Sequence, residues 1–131
     1  MEDQTSKKIL IVDDEQAFDK ALATFLTGHG FTVFIAQDAT FAIQYVVKEK
    51  IDLVILDLGL PSGGGFFVLE NIRKNRKIKQ MPIIVSTANI SADIEKRSRE
   101  LGADAFILKP YDLEKLLEII KVHLTEIQPH G

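Results

Sequence analysis

Asp52-Leu53-Val54-Ile55-Leu56-Asp57 is the stretch that decides the fold, because four consecutive aliphatic residues run between two acids. A strand that is apolar at every position has no solvent face, and such strands belong to the interior of parallel sheets. The same pattern opens the chain, where Ile9-Leu10-Ile11-Val12 runs into Asp13-Asp14. It returns at Phe31 to Ala36, at Pro82-Ile83-Ile84-Val85-Ser86-Thr87 and at Ala103 to Leu108, the last ending in Lys109-Pro110.

Between these runs the apolar residues recur at helical spacing. Phe18, Ala21, Leu22, Phe25 and Leu26 share a face before Gly28-His29-Gly30, and glycine readily takes the left-handed conformation that ends a helix. Ala39, Ala42, Ile43, Val46 and Val47 mark a second helix. Leu58 to Gly65 reads as a flexible loop containing Pro61 and the run Gly63-Gly64-Gly65, with a shorter helix from Phe66 to about Lys74. Ser91 is placed to cap a charged helix that stops at Gly102. Asp112 is placed to cap a final helix with Leu113, Leu116, Leu117, Ile120 and Leu124 inward. Gln128 to Gly131 reads as a frayed tail. Five strands alternating with five helices give an α/β fold, a doubly wound parallel sheet joined by right-handed crossovers with helices on both faces.

At 131 residues the chain has the length of one domain, 1–131, with its core over about 7–126. Hydrophobic and charged fractions of 46% and 27% are those of a soluble globular protein. The net charge of −3 comes without a basic cluster interleaved with aromatics, so no nucleic-acid binding is expected. Absence of cysteine excludes disulfides and thiolate metal sites and suits the cytoplasm. No apolar run approaches membrane-spanning length, and the acidic opening Met1-Glu2-Asp3-Gln4 is unlike a signal peptide.

Ligands of open parallel sheets bind at the carboxyl ends of the strands. Those ends carry Asp13 and Asp14, Asp57, Ser86 and Thr87, and Lys109. Two carboxylates roughly 4 Å apart repel by about 4 kcal/mol at an effective dielectric near 20. Three of them facing one lysine call for a divalent cation, and an all-oxygen, water-facing set favours Mg²⁺ or Mn²⁺ over zinc. Phosphoryl transfer uses the same parts. Asp57 is the candidate nucleophile, giving an aspartyl phosphate; Asp14, with Asp13 directly or through water, holds the metal. Lys109 and the Thr87 hydroxyl hold phosphoryl oxygens.

These motifs, in this order at these strand ends, resemble the response-regulator receiver domains of two-component signalling. The resemblance covers about Lys7 to Leu124 and rests on Ile9-Leu10-Ile11-Val12-Asp13-Asp14-Glu15, Leu53-Val54-Ile55-Leu56-Asp57-Leu58-Gly59-Leu60-Pro61 with Gly65, Pro82-Ile83-Ile84-Val85-Ser86-Thr87-Ala88, Gly102-Ala103-Asp104-Ala105-Phe106-Ile107-Leu108-Lys109-Pro110, and the apolar final helix. It implies a flavodoxin-like sheet of order 2-1-3-4-5 and Asp57 as phosphoacceptor. It also implies a metal site of Asp13, Asp14, Asp57 and the Gly59 carbonyl, a cis Lys109-Pro110 bond, and a switch made of Thr87 and Phe106. The donor implied is a sensor histidine kinase or a histidine phosphotransfer protein, and the output an undetermined partner or domain reached through the face of helix four, strand five and helix five. Such a domain is a switch that catalyses only its own phosphorylation and dephosphorylation. A phosphorylation-dependent homodimer is compatible with the family, although Ala105 replaces an acid common in one large DNA-binding subfamily and the final helix lacks its usual Arg partner. Gly64 stands where the family commonly has an acidic or polar residue. Gly59 and Asn89 occupy positions that tune aspartyl-phosphate lifetime.

Each site residue has a plainer reading. Asp13-Asp14 alone would be a capping pair, Asp57 a loop carboxylate, Lys109 a solvated turn residue and Phe106 simple core; their convergence favours the site. Thr87 is preferred to Ser86, which would point to the opposite face. Gly63-Gly64-Gly65 lacks the spacing of a P-loop or a dinucleotide fingerprint. His29, His123 and His130 show no ligand spacing. A receiver-like module that works unmodified would be expected to lack Asp57 or Lys109. A flavin-binding protein of similar architecture would place phosphate against repelling acids.

Overall fold

The computed structural model describes residues 6–88 and 91–125. Asn89, His130, the opening four residues and the tail from Gln128 therefore lie outside the described residues. Strand β1 (Lys8–Val12), β2 (Thr32–Ala36), β3 (Leu53–Asp57), β4 (Ile83–Thr87) and β5 (Ala105–Leu108) alternate with α1 (Gln16–Gly28), α2 (Ala39–Lys48), α3 (Gly64–Lys74), α4 (Ala92–Glu100) and α5 (Leu113–Thr125). The strands form one parallel sheet in the order β2-β1-β3-β4-β5.

Strand side chains alternate between faces, and the continuous aliphatic runs therefore feed two cores. Leu10, Val12, Val54, Leu56, Ile83 and Val85 pack with Ala42 and Val46 of α2 and Val68, Leu69 and Ile72 of α3. Ile9, Ile11, Leu53, Ile55 and Ile84 pack with Leu22 and Leu26 of α1 and Leu116, Leu117 and Ile120 of α5. Register Val12↔Ala36, Val12↔Leu56 and Asp57↔Ser86 brings the carboxyl ends of the strands to one rim.

Helix ends follow the expected chemistry. Asp38 caps α2 by accepting from the Phe41 N–H, Ser91 caps α4 by accepting from Ile94, and the Asp112 carboxylate accepts from the Glu114 N–H at the start of α5. Gly30 and Gly102 follow α1 and α4 with positive φ.

Three expectations change. The glycine run is not a loose turn: a 3-10 turn at Pro61–Gly63 leads into α3, which starts at Gly64 rather than at Phe66. Gly63 takes the left-handed conformation just before it (φ 71°). Gly65 is buried inside the helix, where a Cβ would lie 2.6 Å from the Leu58 Cα and 2.8 Å from the Asp57 carbonyl oxygen. Close approach to the β3 exit, not freedom of movement, is what needs glycine there. Ala21 and Val47 prove exposed. The inner stripe of α1 runs through Asp19, Leu22 and Leu26 instead, so a charged residue occupies a place the pattern assigned to apolar side chains.

Candidate functional site

The rim gathers the residues the strand ends promised. Asp13 follows β1 and its N–H continues the ladder to the Ala36 carbonyl at 3.0 Å. Its carboxylate is buried, 4% exposed, and accepts from the Glu15 N–H at 3.0 Å and from Lys109 Nζ at 2.8 Å. Asp57 ends β3 and is 7% exposed. Its Oδ1 accepts from the Gly59 N–H at 2.8 Å, and its Oδ2 lies 3.3 Å from Lys109 Nζ. A side chain at position 59 would bring a Cβ within 3.1 Å of Asp57 Oδ1, so glycine leaves the carboxylate unobstructed. Asp14 is exposed beside them.

Lys109 is positioned from both sides of the chain. Its N–H donates to the Thr87 carbonyl at 2.8 Å, and the Lys109-Pro110 bond is cis, as the resemblance implied. The ammonium also reaches Glu15 Oε1 at 3.1 Å and stands 5.8 Å from the centre of the Phe18 ring. Burial pulls the Lys109 pKa down, but hydrogen bonds to Asp13 and Glu15 and the field of Asp13 and Asp57 hold it above the ordinary lysine value. The lysine is therefore a fixed cation at any physiological pH. Tyr111 packs edge-on against Phe18, and burial pushes its hydroxyl up to about 12 against the pull of Ser86 and Lys109.

Carboxylate oxygens of Asp13, Asp14 and Asp57 all lie within 4.8 Å of one another. At that separation each pair of unit charges repels by roughly 3 kcal/mol at an effective dielectric near 20. One lysine offsets only part of this. The donor set is all oxygen, converges on one point and opens to water through Asp14, so these residues fit a hard divalent cation.

Thr87 ends β4, buried, with Ser86 buried before it. Phe106 of β5 is half-buried against the α2/α3-side core, and the Arg99 guanidinium of α4 lies 4.6 Å over its ring. Among the histidines, His29 packs on Phe25 and His123 Nδ1 lies 3.0 Å from the Ile119 carbonyl, so neither joins the site.

Two charged residues near the rim escaped the sequence reading. Glu15 pairs with Lys109, and Asp19 is 1% exposed with both carboxylate oxygens lacking a hydrogen-bond partner among the described residues. Burial and the neighbouring Asp13 raise the Asp19 carboxyl to about 7. Its position one turn before Leu22 and two before Leu26 was the available signal.

Comparison with known proteins adds an independent line. A family model described as the response regulator receiver domain matches residues 9–121. The regulatory protein VanRc of Enterococcus gallinarum is 38% identical over 127 residues, which are 96% of this chain and 53% of that protein, so the chain spans about half the length of this curated relative. A CheY-like receiver domain protein of Methanospirillum hungatei superposes with a TM-score of 0.85 at 35% identity, covering 92% of this chain and 94% of that one. The non-phosphorylated HemR receiver domain of Leptospira biflexa gives 0.86 at 32% identity, over 96% of this chain and all of that one (100%). The BeF3-activated RstA receiver domain of Klebsiella pneumoniae gives 0.83 at 30%, over 92% and 100%.

Proposed function

Since the chain belongs to the response-regulator receiver family, whose members act as two-component signalling switches, we propose that Asp57 is its phosphoacceptor and that Lys109 and Thr87 hold the incoming phosphoryl group. The observation that carries this reading is the Lys109 ammonium set between two buried carboxylates, 2.8 Å from Asp13 and 3.3 Å from Asp57, at the mouth of a three-acid cluster.

An Asp57 carboxylate oxygen attacks phosphorus, the new P–O bond forms, and the bond from phosphorus to the donor imidazole nitrogen breaks. The electron pair leaves with the imidazole. Lys109, charged throughout, and the Thr87 hydroxyl stabilise the phosphoryl oxygens as charge spreads onto them. Asp13, Asp14, Asp57 and the Gly59 carbonyl would hold Mg²⁺ (or Mn²⁺), which neutralises that charge when bound. Gly59 keeps the space around Asp57 clear.

Phosphorylation then biases a two-state surface. Thr87 is drawn toward the phosphoryl group, the Phe106 ring turns inward, and the face of α4, β5 and α5 changes shape. Leu108 and Val122, about half exposed on β5 and α5, give that face apolar contact area for an output partner, an attached output domain or a second copy. The donor is a sensor histidine kinase or a histidine phosphotransfer protein, and the setting is the cytoplasm. Among the described residues no helix is long and apolar enough to cross a membrane. The domain works as a switch whose only catalysis is its own phosphorylation and dephosphorylation.

Incubation with a small acyl phosphate and Mg²⁺ tests the assignment. Intact-mass analysis should show the gain of one labile phosphoryl group, lost in Asp57→Asn and abolished by a chelator. An unchanged mass with every divalent metal tried would overturn the reading.

A further inference from the structure

A lysine ammonium has three N–H donors. In Lys109 each faces a carboxylate oxygen: Asp13 Oδ2 at 2.8 Å, Glu15 Oε1 at 3.1 Å and Asp57 Oδ2 at 3.3 Å. No donor is left for a phosphoryl oxygen until one of these bonds opens. The three acceptors are not equivalent. Asp13 and Asp57 are buried and belong to the oxygen cluster that fits a cation, whereas the Glu15 side chain is 56% exposed and lies outside that cluster.

Opening the bond to Asp13 would leave a buried anion without its partner, while water rehydrates Glu15 at once. The Glu15 side chain makes no capping bond to α1, so tethering Lys109 is the visible work of its carboxylate at the rim. With Phe18, Ala88 and Pro110, Glu15 and Lys109 line an open cleft beside the site.

We propose that Glu15 is a positioning residue that holds the third Lys109 donor in the resting protein and surrenders it to the phosphoryl oxygen, so that its tether slows phosphorylation. This rests on the reading of Asp57 and Lys109 given above. The residue acts through Lys109 and touches no reacting atom.

Glu15→Ala removes the tether. Glu15→Asp keeps the charge and draws the carboxylate back from Lys109 by one methylene. Both variants should accelerate Asp57 phosphorylation by acyl phosphate about two- to fivefold, the scale of a largely exposed ion pair. Both should also move the Lys109 side-chain ammonium resonance in NMR spectra of the metal-free, unphosphorylated protein. A rate raised in Glu15→Ala alone would show that charge at the mouth, not the tether, is responsible, and would overturn the proposal. An unmoved Lys109 resonance in both variants would overturn it too. If the wild-type protein is labelled at Asp57 and both variants match its rate, the role of Glu15 fails while the phosphoacceptor assignment stands. If the wild-type protein takes no label, both fail.

Discussion

Replacing Asp19 by Asn should leave stability unchanged near pH 4 and raise it progressively toward pH 8. Asp19 is 1% exposed on the inner stripe of α1, and neither carboxylate oxygen has a hydrogen-bond partner among the described residues. Burial first, then repulsion from Asp13, raises its carboxyl from 3.8 to about 7 in the folded state. Well below pH 3.8 the group is protonated in both folded and unfolded chains and contributes nothing to the pH dependence. Between about 4 and 7 the folded chain keeps a proton that the unfolded chain has released, so stability falls as pH rises. Above 7 the full cost of a buried anion is present. The separation of the two values corresponds to roughly 4 kcal/mol as an upper figure. Asn has the same shape and never charges, so Asp19→Asn should gain about 2–4 kcal/mol over wild type at pH 8 and close to nothing at pH 4. Urea unfolding followed by circular dichroism at steps between these limits, with chelator present, gives the difference directly. A difference between the two proteins that stays flat across this range would refute the reasoning, because only an ionisation confined to the wild type produces the slope.

Gly65→Ala should destabilise by roughly 1–3 kcal/mol, seen as a lower urea midpoint, because its Cβ would meet backbone atoms of Leu58 and Asp57 at 2.6 and 2.8 Å. The same variant should slow phosphorylation by displacing the Asp57 backbone. Arg73→Ala should cost about 2–4 kcal/mol in the same assay. The Arg73 guanidinium bonds the carbonyls of Gly102 and Met81 and the side chains of Gln80 and Asp104, tying α3 to the starts of β4 and β5 at the end of the sheet away from the site. Thermal unfolding without metal should therefore report the loss while the chemistry at Asp57 is retained.

The sheet and its site were legible because two periodicities speak plainly. Runs such as Leu53-Val54-Ile55-Leu56 leave no polar face, and only a sheet covered on both sides accepts them. Once the strands are parallel, Asp13, Asp57, Thr87 and Lys109 must share a rim, so residues far apart in sequence could be grouped before any distance was known. Asp19 was not legible, since its burial contradicts side-chain polarity and only its i, i+3, i+7 spacing with Leu22 and Leu26 hinted at it. The start of α3 was misplaced for a related reason. Three glycines speak locally for freedom, and the packing of Gly65 against the β3 exit speaks against it only in three dimensions. The Glu15–Lys109 pair spans 94 positions and carries no local signal at all.

Borohydride trapping of the phosphorylated protein tests the central claim most directly. The reagent reduces an aspartyl phosphate to homoserine, and peptide mapping then locates the residue that held the phosphoryl group. After exposure to acyl phosphate and Mg²⁺, homoserine should appear at position 57 alone and should vanish in Asp57→Asn. Homoserine at Asp13 or Asp14, or none in a protein shown to have gained phosphoryl mass, would contradict the account.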